Sequence, residues 1–191
     1  MKWRHLPNII TAFRLLMVFP FLYCTLDEYY TFAFFIFILA SISDGLDGFL
    51  ARHFQWQSQL GAFGDPLADK FLVISSYIAL ALNHQIPWWF ATLMVTRDVV
   101  IMGGAASWYF FFRKIEFQPT VISKTNTVFQ LMLIIVVLFQ LSFHQLPIIL
   151  IQYLIILTTL TTAFSFVDYV VRWGVRAFFQ RENIITRQPH Q

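Results

Sequence analysis

Four aspartates, Asp44, Asp47, Asp65 and Asp69, fall in one short stretch, SDGLDGFLARHFQWQSQLGAFGDPLADK, of a chain that is otherwise rich in apolar residues. Asp44 and Asp47 are three apart and Asp65 and Asp69 four apart, so on helices each pair shares a face. Gly48 and Ala51 continue the face of the first pair, where small side chains leave room for a ligand or a second helix. Four ionised carboxylates cannot share a pocket unaided, because like charges drive one another to protonate. Divalent cations resolve that conflict. Oxygen-only ligands suit Mg²⁺ or Mn²⁺, and two such ions on shared carboxylates form a clamp for phosphoryl transfer. Cysteine-type zinc ligation is absent, and His53 alone does not make a zinc site. Other chemistry is compatible with parts of the pattern. Asp44 and Asp47 could lie on a solvated face or cap a helix end, Asp65-Pro66 resembles a helix start, and transporters use buried acids for ions or protons.

The elements that position these carboxylates follow from composition. Of 191 residues 58% are hydrophobic and 12% charged, where a soluble domain carries about 25% charged residues. The 23 phenylalanines suit a lipid-facing surface, and the expectation is an all-α integral membrane protein in one domain, 1–191. Apolar runs that could each cross the bilayer occupy Ile9–Leu26, Tyr30–Leu50, Pro66–Leu82, Pro87–Phe112, Ser123–Phe143 and Leu146–Val171. Six transmembrane helices are therefore expected, since backbone groups in lipid must be satisfied within each segment. The connections after the first, third and fifth runs hold no lysine or arginine. The basic residues gather at Lys2, Arg4, Arg52, Lys70, Arg113, Lys114, Lys124 and in the tail. Both termini and the aspartates are thereby expected on the cytoplasmic side.

A net charge of +3 reads as topology here, not as a nucleic-acid surface. The basic, aromatic tail from about residue 172 reads as the snorkelling end of the last helix or as an amphipathic lipid-binding segment. Cys24, the single cysteine, excludes an intrachain disulfide. The start MKWRHLPN carries neither a cleavable signal pattern nor a long Arg/Ser-rich presequence, which favours a bacterial inner membrane as the expected location.

Written with its fixed positions, the central stretch is Asp44-x2-Asp47-Gly48-x2-Ala51-Arg52-x8-Gly61-x3-Asp65-x3-Asp69. It resembles the signature motif of the CDP-alcohol phosphatidyltransferases at every position. Pro7-Asn8-x2-Thr11-x2-Arg14 looks like that family's N-terminal element, and six spans match its fold. The resemblance implies a transfer of the phosphatidyl group from CDP-diacylglycerol to an alcohol, releasing CMP. By similarity Asp44, Asp47, Asp65 and Asp69 would bind two Mg²⁺ or Mn²⁺ ions, with Asp69 also the general base. Arg52 would hold phosphate oxygens, Gly48, Ala51 and Gly61 would make room for the nucleotide, and Asn8, Thr11 and Ser58 would contact the CDP-lipid. A homodimer is implied as well.

The acceptor is read from Thr96-Arg97-Asp98 in the fourth run and Ser123-Lys124-Thr125-Asn126-Thr127-x2-Gln130 in the fifth. Arg97, Lys124 and Asn126 are the candidate acceptor contacts; Arg97 could instead be bridged to Asp98 or Asp168. SKTNTVFQ is similar to the cardiolipin synthase branch of the family. The glycerol-3-phosphate branch usually reads closer to GKxKTxxQ, with a further arginine one helical repeat after the fourth-span pair. Here Asn126 stands at the second lysine position and Gly103-Gly104-Ala105-Ala106 at the later arginine. Glycerol 3-phosphate is close to a dianion and calls for several cations, whereas phosphatidylglycerol is a monoanion that also binds through its acyl chains. Phosphatidylglycerol is the expected acceptor and glycerol 3-phosphate the alternative. An ion-coupled transporter or a non-catalytic membrane partner is the alternative of another class.

Overall fold

The computed structural model describes residues 6–54, 59–112, 121–144 and 146–186, with side chains described over 12–43, 70–104, 121–144 and 146–171. Six helices account for nearly all of them: α1 Leu6–Leu26, α2 Tyr30–Phe54, α3 Gln59–Leu82, α4 Trp88–Phe112, α5 Val121–Ser142 and α6 Ile148–Thr186. There is no strand among the described residues. Val121–Ser142 and Ile148–Val171 are long and apolar enough to cross a membrane, and Ala12–Leu26, Tyr30–Ser43 and Lys70–Leu82 are shorter apolar helical runs.

Each expected apolar run coincides with a helix, but two helices extend well beyond their runs. α3 begins at Gln59, ahead of Asp65-Pro66, so this dipeptide lies inside the helix and does not start it. α6 continues from the apolar run through the basic tail to Thr186. Its 39 residues span about 58 Å at 1.5 Å per residue, well past the roughly 30 Å of hydrocarbon.

Side-chain distribution is inverted relative to a water-soluble bundle. Phe19, Phe32, Tyr153, Phe164 and Ile148 are all more than 60% exposed, while Arg14, Arg97, Asp98, Asn126 and Gln130 are buried. Such a surface is costly in water and suited to lipid. The apolar core is built from Val18 and Phe21 of α1, Phe37 of α2, Leu72, Tyr77 and Leu80 of α3, Phe90 and Met94 of α4, and Leu133, Ile134 and Leu138 of α5. Phe21 packs on Phe37 with ring centroids 5.8 Å apart, and Tyr77 meets Phe90 edge-on at the same separation.

Short turns fix which ends lie together. Glu28 and His84 adopt left-handed backbone (φ 63° and 56°) in the α1–α2 and α3–α4 turns. Asn83 Nδ2 donates to the Thr25 carbonyl (2.6 Å) and to the Tyr30 hydroxyl (3.2 Å), joining those two turns. Phe34 of α2 packs edge-on against Phe139 and Phe143 near the end of α5, which brings that end alongside. The opposite end of the bundle therefore gathers the start of α1, the second half of α2, the first half of α3 and the start of α5.

Candidate active site

That opposite end carries the residues singled out by type and spacing. Asn8 and Thr11 lie on α1, Asp44, Asp47, Gly48, Ala51 and Arg52 on α2, and Gly61, Asp65 and Asp69 on α3. α2 runs unbroken through Asp44 and Asp47, and α3 through Asp65 and Asp69, so each pair has the helical spacing that the shared-face reading requires. The side chains of these residues lie outside the described ones, and Ser58 lies outside the described residues altogether. Among the described side chains no group of three or more His, Cys, Asp or Glu gathers as a metal site. The donor set itself, four carboxylates without thiolate or imidazole at these positions, suits hard divalent cations.

Beside it lies a buried polar knot whose geometry is described. Asp98 on α4 has a fully buried carboxylate, and its Oδ1 accepts from Arg97 Nη1 at 2.6 Å. The same oxygen accepts from Lys70 Nζ on α3 at 3.2 Å. Arg97 Nη2 donates onward to Ser123 Oγ on α5 (2.9 Å) and to Ser165 Oγ on α6 (2.6 Å). One carboxylate and one guanidinium thus join four helices. Charge-assisted bonds of this kind are about twice as strong as neutral ones, and an unpaired charge here would carry a desolvation penalty of several kcal/mol.

From the knot a polar ladder runs along the α5–α6 seam. Asn126 is fully buried, and its Oδ1 accepts from Thr161 Oγ1 (2.9 Å) and Thr162 Oγ1 (2.8 Å). One turn further along, Gln130 Nε2 donates to Met94 Sδ (3.5 Å), and the Gln130 carbonyl accepts from the Tyr77 hydroxyl (3.1 Å). Ser123, Asn126 and Gln130 descend α5 at helical spacing as Ser165, Thr162 and Thr158 climb α6, and all but the half-buried Ser123 are buried. Asn126, bonded to both Thr161 and Thr162, thereby registers the antiparallel pair, an interhelical device favoured where lipid supplies no hydrophobic drive. Thr158 Oγ1 and the Gln130 side-chain oxygen are buried without a hydrogen-bond partner among the described residues.

Of the three acceptor candidates, Arg97 is buried and bonded to Asp98, Ser123 and Ser165, Asn126 is buried in the ladder, and Lys124 is exposed. Of the two acids considered for Arg97, Asp98 is the one bridged to it. Arg14 is likewise fully buried. A Cβ at Gly103 would meet nothing within 4 Å, so that part of the small-residue run presents open backbone. Between α5 and α6, Val121, Ile122, Thr125, Thr161, Phe164, Val167 and Asp168 line an open, mostly apolar groove of about 540 Å³. The α6 hydroxyls and Lys70 were not singled out from sequence. Their signal is the i, i+4, i+7 recurrence of Thr158, Thr162 and Ser165 within an apolar run.

The family model for CDP-alcohol phosphatidyltransferase matches residues 4–172. The chain belongs to the CDP-alcohol phosphatidyltransferase family. It is therefore an all-α membrane protein, and the match covers the aspartate stretch on α2 and α3. Similar relatives include cardiolipin synthase (CMP-forming) of Rattus norvegicus, 33% identical over 184 residues, covering 86% of this chain and 60% of the rat protein. A CDP-diacylglycerol–glycerol-3-phosphate 3-phosphatidyltransferase of Oryza sativa is 34% identical over 159 residues, 74% of this chain and 48% of the rice protein. A probable phosphatidylglycerophosphate synthase of Mycobacterium tuberculosis is 39% identical over 104 residues, half of this chain and 48% of the relative. The chain thus spans about half to three-fifths of the length of these family members.

Proposed function

We propose that this protein moves the phosphatidyl group of CDP-diacylglycerol onto phosphatidylglycerol, forming cardiolipin and CMP. Asp69 takes the proton of the acceptor hydroxyl, whose oxygen attacks the phosphorus bearing the diacylglycerol. The bond from that phosphorus to the CMP oxygen breaks, and CMP leaves with the electron pair. Arg52 steadies phosphate oxygens. Gly48, Ala51 and Gly61 admit the nucleotide, and Asn8, Thr11 and Ser58 contact the CDP-lipid. Asp44, Asp47, Asp65 and Asp69 would hold two Mg²⁺ or Mn²⁺ ions, whose charge would offset that of the pyrophosphate and of CMP.

The observation that carries the choice of acceptor is Asn126. It is neutral, fully buried and engaged by two threonine hydroxyls, and by resemblance it stands at the second lysine position of the pattern usual in the glycerol-3-phosphate branch. Arg97, committed to Asp98, adds little uncompensated charge, which leaves Lys124 as the exposed cation on this stretch of α5. A monoanionic lipid acceptor needs fewer cations than a small dianion. The similarity to a relative named cardiolipin synthase points the same way. Relatives named for glycerol 3-phosphate keep that acceptor as the second reading.

All six helices cross the bilayer in this reading, with both termini and the aspartates on the cytoplasmic side of a bacterial inner membrane. Support comes from the charge pattern: TLDEY, NHQIP and SFHQLP carry no lysine or arginine, while basic residues cluster at the other end. Two copies pair as a homodimer, and the open backbone at Gly103 offers one surface for close helix approach.

The test uses purified protein in liposomes with CDP-diacylglycerol and Mg²⁺, supplied separately with labelled phosphatidylglycerol or labelled glycerol 3-phosphate. Labelled cardiolipin from the first and no phosphatidylglycerophosphate from the second is the expected result. The reverse would overturn the acceptor while leaving the transfer chemistry in place. Phosphatidic acid formed without either acceptor would mean that water is the nucleophile.

A further inference from the structure

We propose that Lys70 is a positioning residue: its bond to Asp98 sets the rotation of α3, and with it the placement of Asp65 and Asp69. The proposal rests on the reading of those aspartates as metal ligands. Lys70 is not required to neutralise Asp98, because Arg97 Nη1 already lies 2.6 Å from the same oxygen. A lysine flanking an apolar run would ordinarily extend toward water and headgroups. Lys70 instead turns inward, with 17% of its side chain exposed, and crosses to α4. Geometry, not charge balance, is what the contact adds.

The anchor it reaches is tied to other helices. Asp98 is held through Arg97 to α5 and α6, so Lys70 connects α3 to a point fixed by three other helices. α3 has reason to need such a point. Gly61, Gly64 and Pro66 fall in the turns around Asp65, and glycine and proline are the weakest helix formers. Lys70 follows Asp69 directly, so turning α3 about its axis moves both residues together. Functional groups must be held to about 0.5 Å, and supporting contacts around metal ligands are commonly worth roughly tenfold or more in metal affinity.

The experiment measures Mn²⁺ affinity by electron paramagnetic resonance on the full chain in detergent, alongside thermal unfolding. Lys70→Met is expected to weaken Mn²⁺ binding roughly tenfold with little change in Tm, and Lys70→Arg to restore it. A lysine acting only as a nearby positive charge gives the opposite sign, since removing it would tighten cation binding. Unchanged or tighter binding in Lys70→Met therefore overturns the proposal. Lys70→Leu, which likewise removes the donor, replaces methionine where folding is impaired, and wild-type affinity there overturns it equally. Asp69→Asn separates the two readings. If it fails to weaken Mn²⁺ binding, the metal reading falls and takes this proposal with it. If it weakens binding while Lys70→Met does not, the positioning role alone falls.

Discussion

Two polar regions interrupt this apolar chain, and they solve the problem of buried charge in opposite ways. The knot around Asp98 is paired mostly from within: Asp98 Oδ1 meets Lys70 and Arg97, and the guanidinium continues to two serine hydroxyls. Asp98 Oδ2 and Arg97 Nε are buried without a hydrogen-bond partner among the described residues. Protein groups supply the compensation, so the knot can hold helices together without a ligand. The stretch from Asp44 to Asp69 is acidic at all four functional positions, with Arg52 the one arginine within it. Carboxylates so grouped call for cations from outside the chain. Charge compensated from within holds helices together, and charge that waits for compensation is, under the proposed function, where substrate and metal would meet.

Substitutions in the two regions should separate along that line. The largest effect is expected for Asp69→Asn, which removes the proposed base and a metal ligand: CMP release should fall about 10²- to 10⁴-fold while thermal unfolding stays near wild type. Arg97→Ala should show the converse emphasis. It leaves Asp98 with Lys70 alone and both serines without their donor, a loss of about 3–5 kcal/mol readable as a lowered Tm in detergent. Asn126→Leu removes the acceptor of two threonine hydroxyls and should cost about 1–3 kcal/mol, again in unfolding. The smallest effect belongs to the lipid face, where Phe164→Leu on exposed surface should change stability by no more than about 0.5 kcal/mol. Equal losses of stability in Asp69→Asn and Arg97→Ala would erase the distinction between the regions.

Much of this was legible in the residues themselves, for identifiable reasons. Hydropathy located all six helices, because a helix in lipid must be apolar along its length. It placed the start of α3 at Pro66, whereas the helix begins at Gln59. QLGAFGD is too polar to count as a span, yet helical hydrogen bonding does not depend on hydropathy. For the same reason the tail beyond Val171 continues as helix to Thr186. The aspartate motif was legible because four like charges at helical spacing have few explanations. Arg97 reads from sequence as an acceptor contact or as bridged to a neighbouring acid, Asp98 or Asp168 among them, and only the folded chain reveals the bridge to Asp98. Lys70 was counted as a topological charge, since nothing in its neighbours along the chain reveals an acid on another helix. Thr158, Thr162 and Ser165 escaped notice because threonine and serine disturb a hydropathy profile very little.

The central claim is that the aspartates need divalent metal to transfer a phosphatidyl group. It is tested most directly by following CMP release in liposomes containing CDP-diacylglycerol and phosphatidylglycerol, using protein first stripped with chelator and then titrated with Mg²⁺ or Mn²⁺. No release is expected from the stripped protein, with recovery as metal is added and no recovery in Asp69→Asn. Release at the wild-type rate in the presence of excess chelator would contradict it.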